Sequence, residues 1–244
     1  GGIGNHDGAG LLGKRDDAVP QATSAPKLQH DELWVAGHGR INLATVRANA
    51  GSKGGRVRLW ALHKLRNELV TNFDPEGRST IWHRIEEMVG RETLRTLGMK
   101  AVGRLDYTSE GLLLITNDGV LKRYLELPEH AFARRYEVET RGKLNTKWLD
   151  YLGKGATVGD FTYKPIIIDV TRELTKKRHT MEITLTEGKT REIRKALEAG
   201  GMSVKRLKRV GYGPYHLGGL ARGDLLEIKA HRKHLVKSGI LVEE

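Results

Sequence analysis

From Val57 onward the chain carries apolar positions with the periods of packed secondary structure. Val57–Leu62 reads as a strand, with Glu68–Asn72 a candidate for a second. Asp74-Pro75-Glu76-Gly77 is turn chemistry, because Pro presets one backbone angle and Gly frees another. Thr80 is placed to cap a helix with Ile81, Ile85 and Met88 on one face. The unbroken apolar run Leu112–Thr116 predicts a buried strand. Asn117-Asp118-Gly119 ends it as a turn or helix entry, and Leu121–Leu127 is a candidate short helix. Tyr136–Thr140 alternates as a half-buried strand does, and so do Met181, Ile183 and Leu185. Asn145 can cap a short helix through Trp148, Leu149 and Leu152. Arg191–Ala199 reads as a helix, with Ile193 and Leu197 four apart and Gly200-Gly201 as its stop. Val204–Val210 and Leu225–Ile228 are the last strands. Strands outnumber helices without alternating with them, so the expected class is α+β, a mainly antiparallel sheet with flanking helices.

Upstream the pattern fades. Residues 1–30 hold six glycines and two prolines with no sustained period, and are expected to be a flexible tail. Leu33–Val46 shows some strand-like alternation, and Ala50–Gly55 reads as a linker. No apolar run approaches the roughly 20 residues that a membrane helix needs. The sequence has no cysteine, which excludes disulfides and thiolate chemistry.

Charge changes the picture more. Of 244 residues, 42 are Lys or Arg and 30 are Asp or Glu, a formal net of +12. A polyanionic partner fits this balance. The excess is concentrated in residues 176–209, where eleven Lys and Arg face four Glu. That focus is the footprint of phosphate-backbone binding; the plainer alternative is a solvated basic face. Lys and Arg in the first turn of the Arg191–Ala199 helix oppose its dipole, as charges with an anionic partner elsewhere would.

Three places could carry chemistry. Asp106 lies in Gly103-Arg104-Leu105-Asp106, a loop before a buried strand, where a carboxylate is held by a rigid scaffold. Tyr136 opens a strand after Arg134-Arg135 and offers a ring on which a base could stack. Lys189, Arg191, Arg194 and Lys195 cluster at a Gly turn and helix start. Other motifs carry nothing: Gly153, Gly155 and Gly159 lack dinucleotide-loop spacing, no Walker loop occurs, and His231 and His234 lack a third metal ligand.

In order along the chain, FDPEGRSTI, GRLDYTSEGLLLITNDG, RRYEVETRG and EGKTREIRKALEAGG with VKRLKRVGYGPYHLGGLARGDLLEI resemble the RsuA-type ribosomal RNA pseudouridine synthases (RsuA/RluB/RluE/RluF-like), over roughly residues 57–230. The resemblance implies the pseudouridine synthase fold with a central catalytic cleft. It makes Asp106 the catalytic aspartate, Tyr136 the ring that packs on the target base and Arg194 the basic partner of the carboxylate. Arg104 would hold the flipped-out nucleotide or the gap it leaves, and Ile193 and Leu112 would be apolar positions near the pocket. RNA contacts are expected from Arg104, Lys64, Arg66, Lys189, Arg191, Lys195, Lys205, Arg206, Lys208 and Arg209. Residues 56–244 would form the catalytic domain. Family members usually begin with an S4 RNA-binding domain; here only Gly39–Val46 resembles its end, so residues 31–55 are read as a partial or degraded S4-like segment and linker.

An aspartate nucleophile must be ionised, and a guanidinium beside it favours that form. A base inside a helix must first be flipped out, at a few kcal/mol. The implied reaction converts a specific uridine of ribosomal RNA, large subunit favoured, to pseudouridine, and being redox-neutral it calls for no cofactor and no metal. The alternative is a ribosome-assembly factor that keeps the fold and acts by binding. Expected partners are ribosomal RNA or a subunit precursor, with ribosomal or assembly proteins and no membrane. The expected location is the cytoplasm of a bacterium, or a mitochondrion or other organelle.

Overall fold

The computed structural model describes residues 56–239, and before them two short strands, β1 (Glu32–Val35) and β2 (Gly39–Asn42), paired antiparallel. The expected tail at 1–30, the linker at 50–55 and most of the S4-like segment lie outside the described residues.

A nine-stranded sheet organises the rest. Its strands are β3 (Leu59–Lys64), β4 (Lys100–Val102), β5 (Glu110–Thr116), β6 (Arg134–Arg141), β9 (Ile167–Thr175), β10 (Arg178–Leu185), β11 (Ser203–Tyr212), β12 (Tyr215–His216) and β13 (Leu225–Ile228). The order is β13-β3-β5-β11-β6-β10-β9, with β4 on β5 and β12 on β11. Within this sheet β5 and β11 run parallel, pairing Lys208 with Glu110 and Arg209 with Gly111, and the other pairings are antiparallel. The helices are α1 (Ile81–Val89), α2 (Arg91–Leu97), α3 (Gly119–Glu126), α4 (Thr146–Gly153), α5 (Glu192–Ala199) and α6 (Arg232–Lys237). Strands β7 (Ala156–Val158) and β8 (Phe161–Tyr163) form a separate hairpin. The mainly antiparallel α+β class is as the sequence implies.

Every residue of β3 and β5 is buried, because the sheet centre is covered on both faces. Trp60, Leu62, Leu113 and Ile115 point into one core with Ile81 and Ile85 of α1 and Ile193 and Leu197 of α5. Their neighbours Leu59, Ala61, Leu112 and Leu114 point into a second core with Leu121, Leu125 and Tyr212. That is the period-2 alternation of a strand with both sides dry. On β6 and β10 only one face is dry: Tyr136 and Val138, with Met181 and Ile183, join the first core.

Local rules account for the helix ends. Thr80 accepts the His83 amide at 3.4 Å and Asp118 accepts the Leu121 amide at 2.6 Å, capping α1 and α3. Glu68–Asn72, a candidate strand, is a loop; it makes one bridge, Leu69 to Thr80. The edge strand β9 is missed by periodicity because its side chains are largely exposed, Ile167 by 66%. Gly111 is where β11 can run beside β5. Its φ is +103°, and a Cβ there would lie 2.2 Å from the Arg209 carbonyl oxygen. Only a residue without a side chain allows that approach.

Candidate active site

The segment Gly103–Ser109 links β4 to β5 and carries Asp106. Four contacts hold it. Glu126 of α3, itself paired with Lys122, accepts the Gly103 amide at 2.6 Å. The Asn67 amide donates to the Tyr107 carbonyl at 2.7 Å. The Ser109 amide closes a turn onto the Asp106 carbonyl at 3.0 Å. Beneath the loop, the Lys64 ammonium donates to the carbonyls of Leu65, Asp106 and Ser109 at 2.9, 3.1 and 2.7 Å. Lys64 is 0% exposed, and burial lowers its pKa to about 8 despite the opposing pull of Glu68 and Asp106. The expected RNA contact at Lys64 is thus corrected. This lysine ends a fully buried strand, so its charge is spent on the protein's own carbonyls.

The Asp106 side chain is 32% exposed, while that of Arg194 is 7% exposed, with its Nε 3.8 Å from Asp106 Oδ2. Arg194 comes from α5, and its Nη1 donates to the Val204 carbonyl at 3.1 Å. Burial first, then the nearby Arg191 cation, lower its pKa, while Asp106 raises it. An arginine remains charged at neutral pH regardless. A carboxylate open to solvent is therefore backed by a buried cation.

Asp106 faces a cleft of about 1160 Å³. Tyr136 lines it too, 8% exposed, and its hydroxyl makes no hydrogen bond among the described residues. Arg104, Lys189, Arg191, Ile193 and Arg209 line the same cleft. Arg209 is 2% exposed and donates its Nε to the Leu112 carbonyl at 2.7 Å, so it is floor rather than surface. Arg191, which is exposed and lines the cleft, holds a left-handed φ of 54° as it enters α5. Tyr107, 38% exposed, and Arg134 also line the cleft. The sequence reading used neither as a site residue, although Tyr107 follows Asp106 directly.

Other expected residues fall elsewhere. Leu112 belongs to the second core, on the far side of the sheet, because it alternates with Leu113. Lys195 sits 4.1 Å above the Phe161 ring on the β7–β8 hairpin. Arg66 is exposed and outside the cleft lining. Lys205, Arg206 and Lys208 do not line the cleft. Arg206 and Lys208 pair in register with Glu139 and Glu137, on the face opposite Tyr136 and Val138. There Arg206 meets Glu110 at 2.5 Å and Lys208 meets Glu137 at 3.2 Å. RNA contacts are expected from these residues on sequence grounds; strand alternation turns Arg206 and Lys208 away from the cleft.

Beside the cleft, Glu192 is buried and accepts the Lys189 amide at 3.0 Å. Burial first, then Glu187, raises its pKa to about 7. Glu187 is itself held below the usual carboxylate range: burial works against this, but the Lys164 amide and Lys189 outweigh it. Among the described residues no helix is long and apolar enough to cross a membrane, and no cluster of His, Asp and Glu could hold a metal ion.

Known proteins share this architecture and much of this sequence. The family model described as RNA pseudouridylate synthase matches residues 58–199, more than half of the chain. An uncharacterized RNA pseudouridine synthase of Rickettsia typhi is 36% identical over 173 residues, covering 71% of this chain and 67% of that protein. Ribosomal large subunit pseudouridine synthase B of Yersinia pestis is 36% identical over 174 residues, covering 70% of this chain and 52% of that protein. The chain thus spans about half the length of that relative. A crystal structure of pseudouridylate synthase superposes with a TM-score of 0.62 at 20% identity over 71% of both chains, a likeness of fold.

Proposed function

Because the chain belongs to the RNA pseudouridylate synthase family, matched over residues 58–199, we propose that it converts a specific uridine of ribosomal RNA to pseudouridine, with Asp106 as the nucleophile. Large-subunit RNA is the favoured substrate, in keeping with the named activity of the Yersinia pestis relative. The single observation that carries this reading is the Asp106 carboxylate, open to a wide cleft and backed 3.8 Å away by the buried Arg194 guanidinium.

This reading gives each residue of the cleft a task. A uridine inside a helix cannot reach a carboxylate on the protein surface, so it leaves its stack at a few kcal/mol. The Tyr136 ring offers a replacement stacking surface, returning about 1–3 kcal/mol. Arg104 and Arg191 at the rim meet the flanking phosphates. The Asp106 carboxylate attacks the nucleotide, and the C1′–N1 bond breaks. The base turns and forms a C1′–C5 bond. C5 loses its proton, N1 gains one, and the carboxylate is released unchanged. Nothing is oxidised or reduced. In this mechanism Tyr136, which lines the cleft, relays the C5 proton.

The test is pseudouridine mapping of ribosomal RNA after incubation with the protein. Modification at one site or a few is expected from the unaltered chain, and none from Asp106→Asn. Full modification by Asp106→Asn would refute the assigned nucleophile. Binding of ribosomal RNA without any modification by the unaltered chain would instead favour an assembly factor.

A further inference from the structure

Away from the cleft, the C-terminal end of β6 meets the β9–β10 turn and the start of β11. The groove there has a volume of about 410 Å³ and is lined by Arg141, Lys177, Arg178 and Lys205. Arg141 is five residues along β6 from Tyr136, roughly 17 Å at the usual strand rise. It also points from the other face of the sheet, since Tyr136 and Thr140 are buried and Arg141 is exposed. These four cations therefore cannot touch the nucleotide at Asp106.

Two features show that the charge is uncompensated. Among the described residues none of the four side chains has an ion-pair or hydrogen-bond partner, in contrast to Arg206 and Lys208 nearby. The one carboxylate in the groove, Glu139, is engaged by Arg206 at 3.4 Å. Further, Arg141 and Arg178 are directly opposed across β6 and β10. Like charges in that position destabilise a sheet. A sequence that keeps two guanidiniums face to face, with two lysines beside them, accepts a folding cost that an anion would relieve.

We propose that this groove binds the phosphate backbone of a second RNA segment, outside the catalytic cleft. This rests on the reading that the protein acts on RNA. Guanidiniums take phosphate oxygens in pairs, and lysines add mobile point charges. A protein partner is disfavoured because an interface centre calls for aromatic or aliphatic anchors, and the groove offers only the half-covered Leu174. A membrane is disfavoured because the groove is built of strands and a turn, without an amphipathic helix.

The test is the salt dependence of binding to purified total ribosomal RNA. It compares the full chain with its Arg141→Gln/Lys177→Gln/Arg178→Gln/Lys205→Gln variant. Each phosphate contact contributes about 0.7–0.9 to the slope of log affinity against log salt. Four contacts predict a slope shallower by about 3 in the variant. Between 50 and 200 mM salt the variant then loses roughly 50- to 150-fold less affinity than the unaltered chain. The four residues are exposed and unpaired, so the variant should melt no lower than its parent. An equal slope in a folded variant overturns the groove. So does loss of binding to phosphatidylserine vesicles with RNA binding intact. Asp106→Asn should keep the parental slope. If the unaltered chain makes no pseudouridine but the slope difference is found, the groove stands and the proposed reaction falls.

Discussion

Lys64→Met offers a sharp test of how the Asp106 loop is held. The methionine fills a similar volume and removes the ammonium. Two carbonyls, those of Leu65 and Ser109, then lose the partner they have, whereas the Asp106 carbonyl keeps the Ser109 amide. Each buried carbonyl left alone costs about 1–3 kcal/mol, about 2–6 kcal/mol for both. Against this stands the relief of burying no charge. The lysine pKa is lowered from 10.5 to about 8. At about 1.4 kcal/mol per pH unit that relief is about 3 kcal/mol. The net change in stability thus lies between about 1 kcal/mol gained and about 3 kcal/mol lost. The loop, however, loses its anchor directly under Asp106. A displacement of about 1 Å at a reacting group costs about 100-fold in rate. Thermal melts and single-turnover pseudouridine formation, read side by side, should show a small shift in Tm and a fall in rate of about that size, with RNA affinity unchanged. The parent should also lose activity as pH rises through about 8, where the ammonium gives up its proton, and the variant should lack that decline. A folded Lys64→Met protein within threefold of the parental rate would refute the positioning role.

Gly111→Ala should cost about 2–6 kcal/mol, from a strained positive φ and from overpacking against the Arg209 backbone, whereas Gly103→Ala, with nothing within 4 Å of the added carbon, should cost about 1–2 kcal/mol; equal denaturation midpoints would contradict the close β5–β11 contact. Tyr136→Leu removes the stacking surface and should weaken substrate capture by roughly 5- to 150-fold, while Tyr136→Phe should bind normally and lose rate; normal capture by the leucine variant would remove the ring from the site. For Glu192 the folded pKa of about 7 exceeds the ordinary 4.5, so the folded chain retains a proton that the unfolded chain releases. Stability is therefore lost as pH rises from about 4.5 to about 7. The Glu187 shift acts below that window. Melting between pH 5 and 8 should show a smaller decline for Glu192→Gln than for the parent; superimposed profiles would show that the carboxyl carries no proton there.

The sequence is most legible where one face of an element is dry. Ile81 and Ile85 after Thr80 predict α1, and alternation through Met181, Ile183 and Leu185 predicts β10. β9 escapes because an exposed edge strand needs no apolar period, and β7 and β8, three residues each, are too short to show one. The loop bearing Asp106 is legible in its own residues, whereas its partnership with Arg194 is only what the family resemblance implies. What a linear reading does not hold is the face on which each basic residue emerges. A tally of lysines and arginines over 176–209 joins residues that β11 separates, Arg209 to the cleft floor and Arg206 and Lys208 to the reverse side. Lys64 is misplaced for a related reason. A lysine at a strand end is ordinarily wet, and only the tertiary fold reveals the three carbonyls waiting for it.

The parallel pairing of β5 with β11 has a consequence for biosynthesis. The Arg209 side chain and the Leu112 carbonyl it meets are 97 positions apart, so this closure is a late and slow event. A nascent polypeptide cannot finish its reactive centre until Tyr212 has emerged from the exit tunnel.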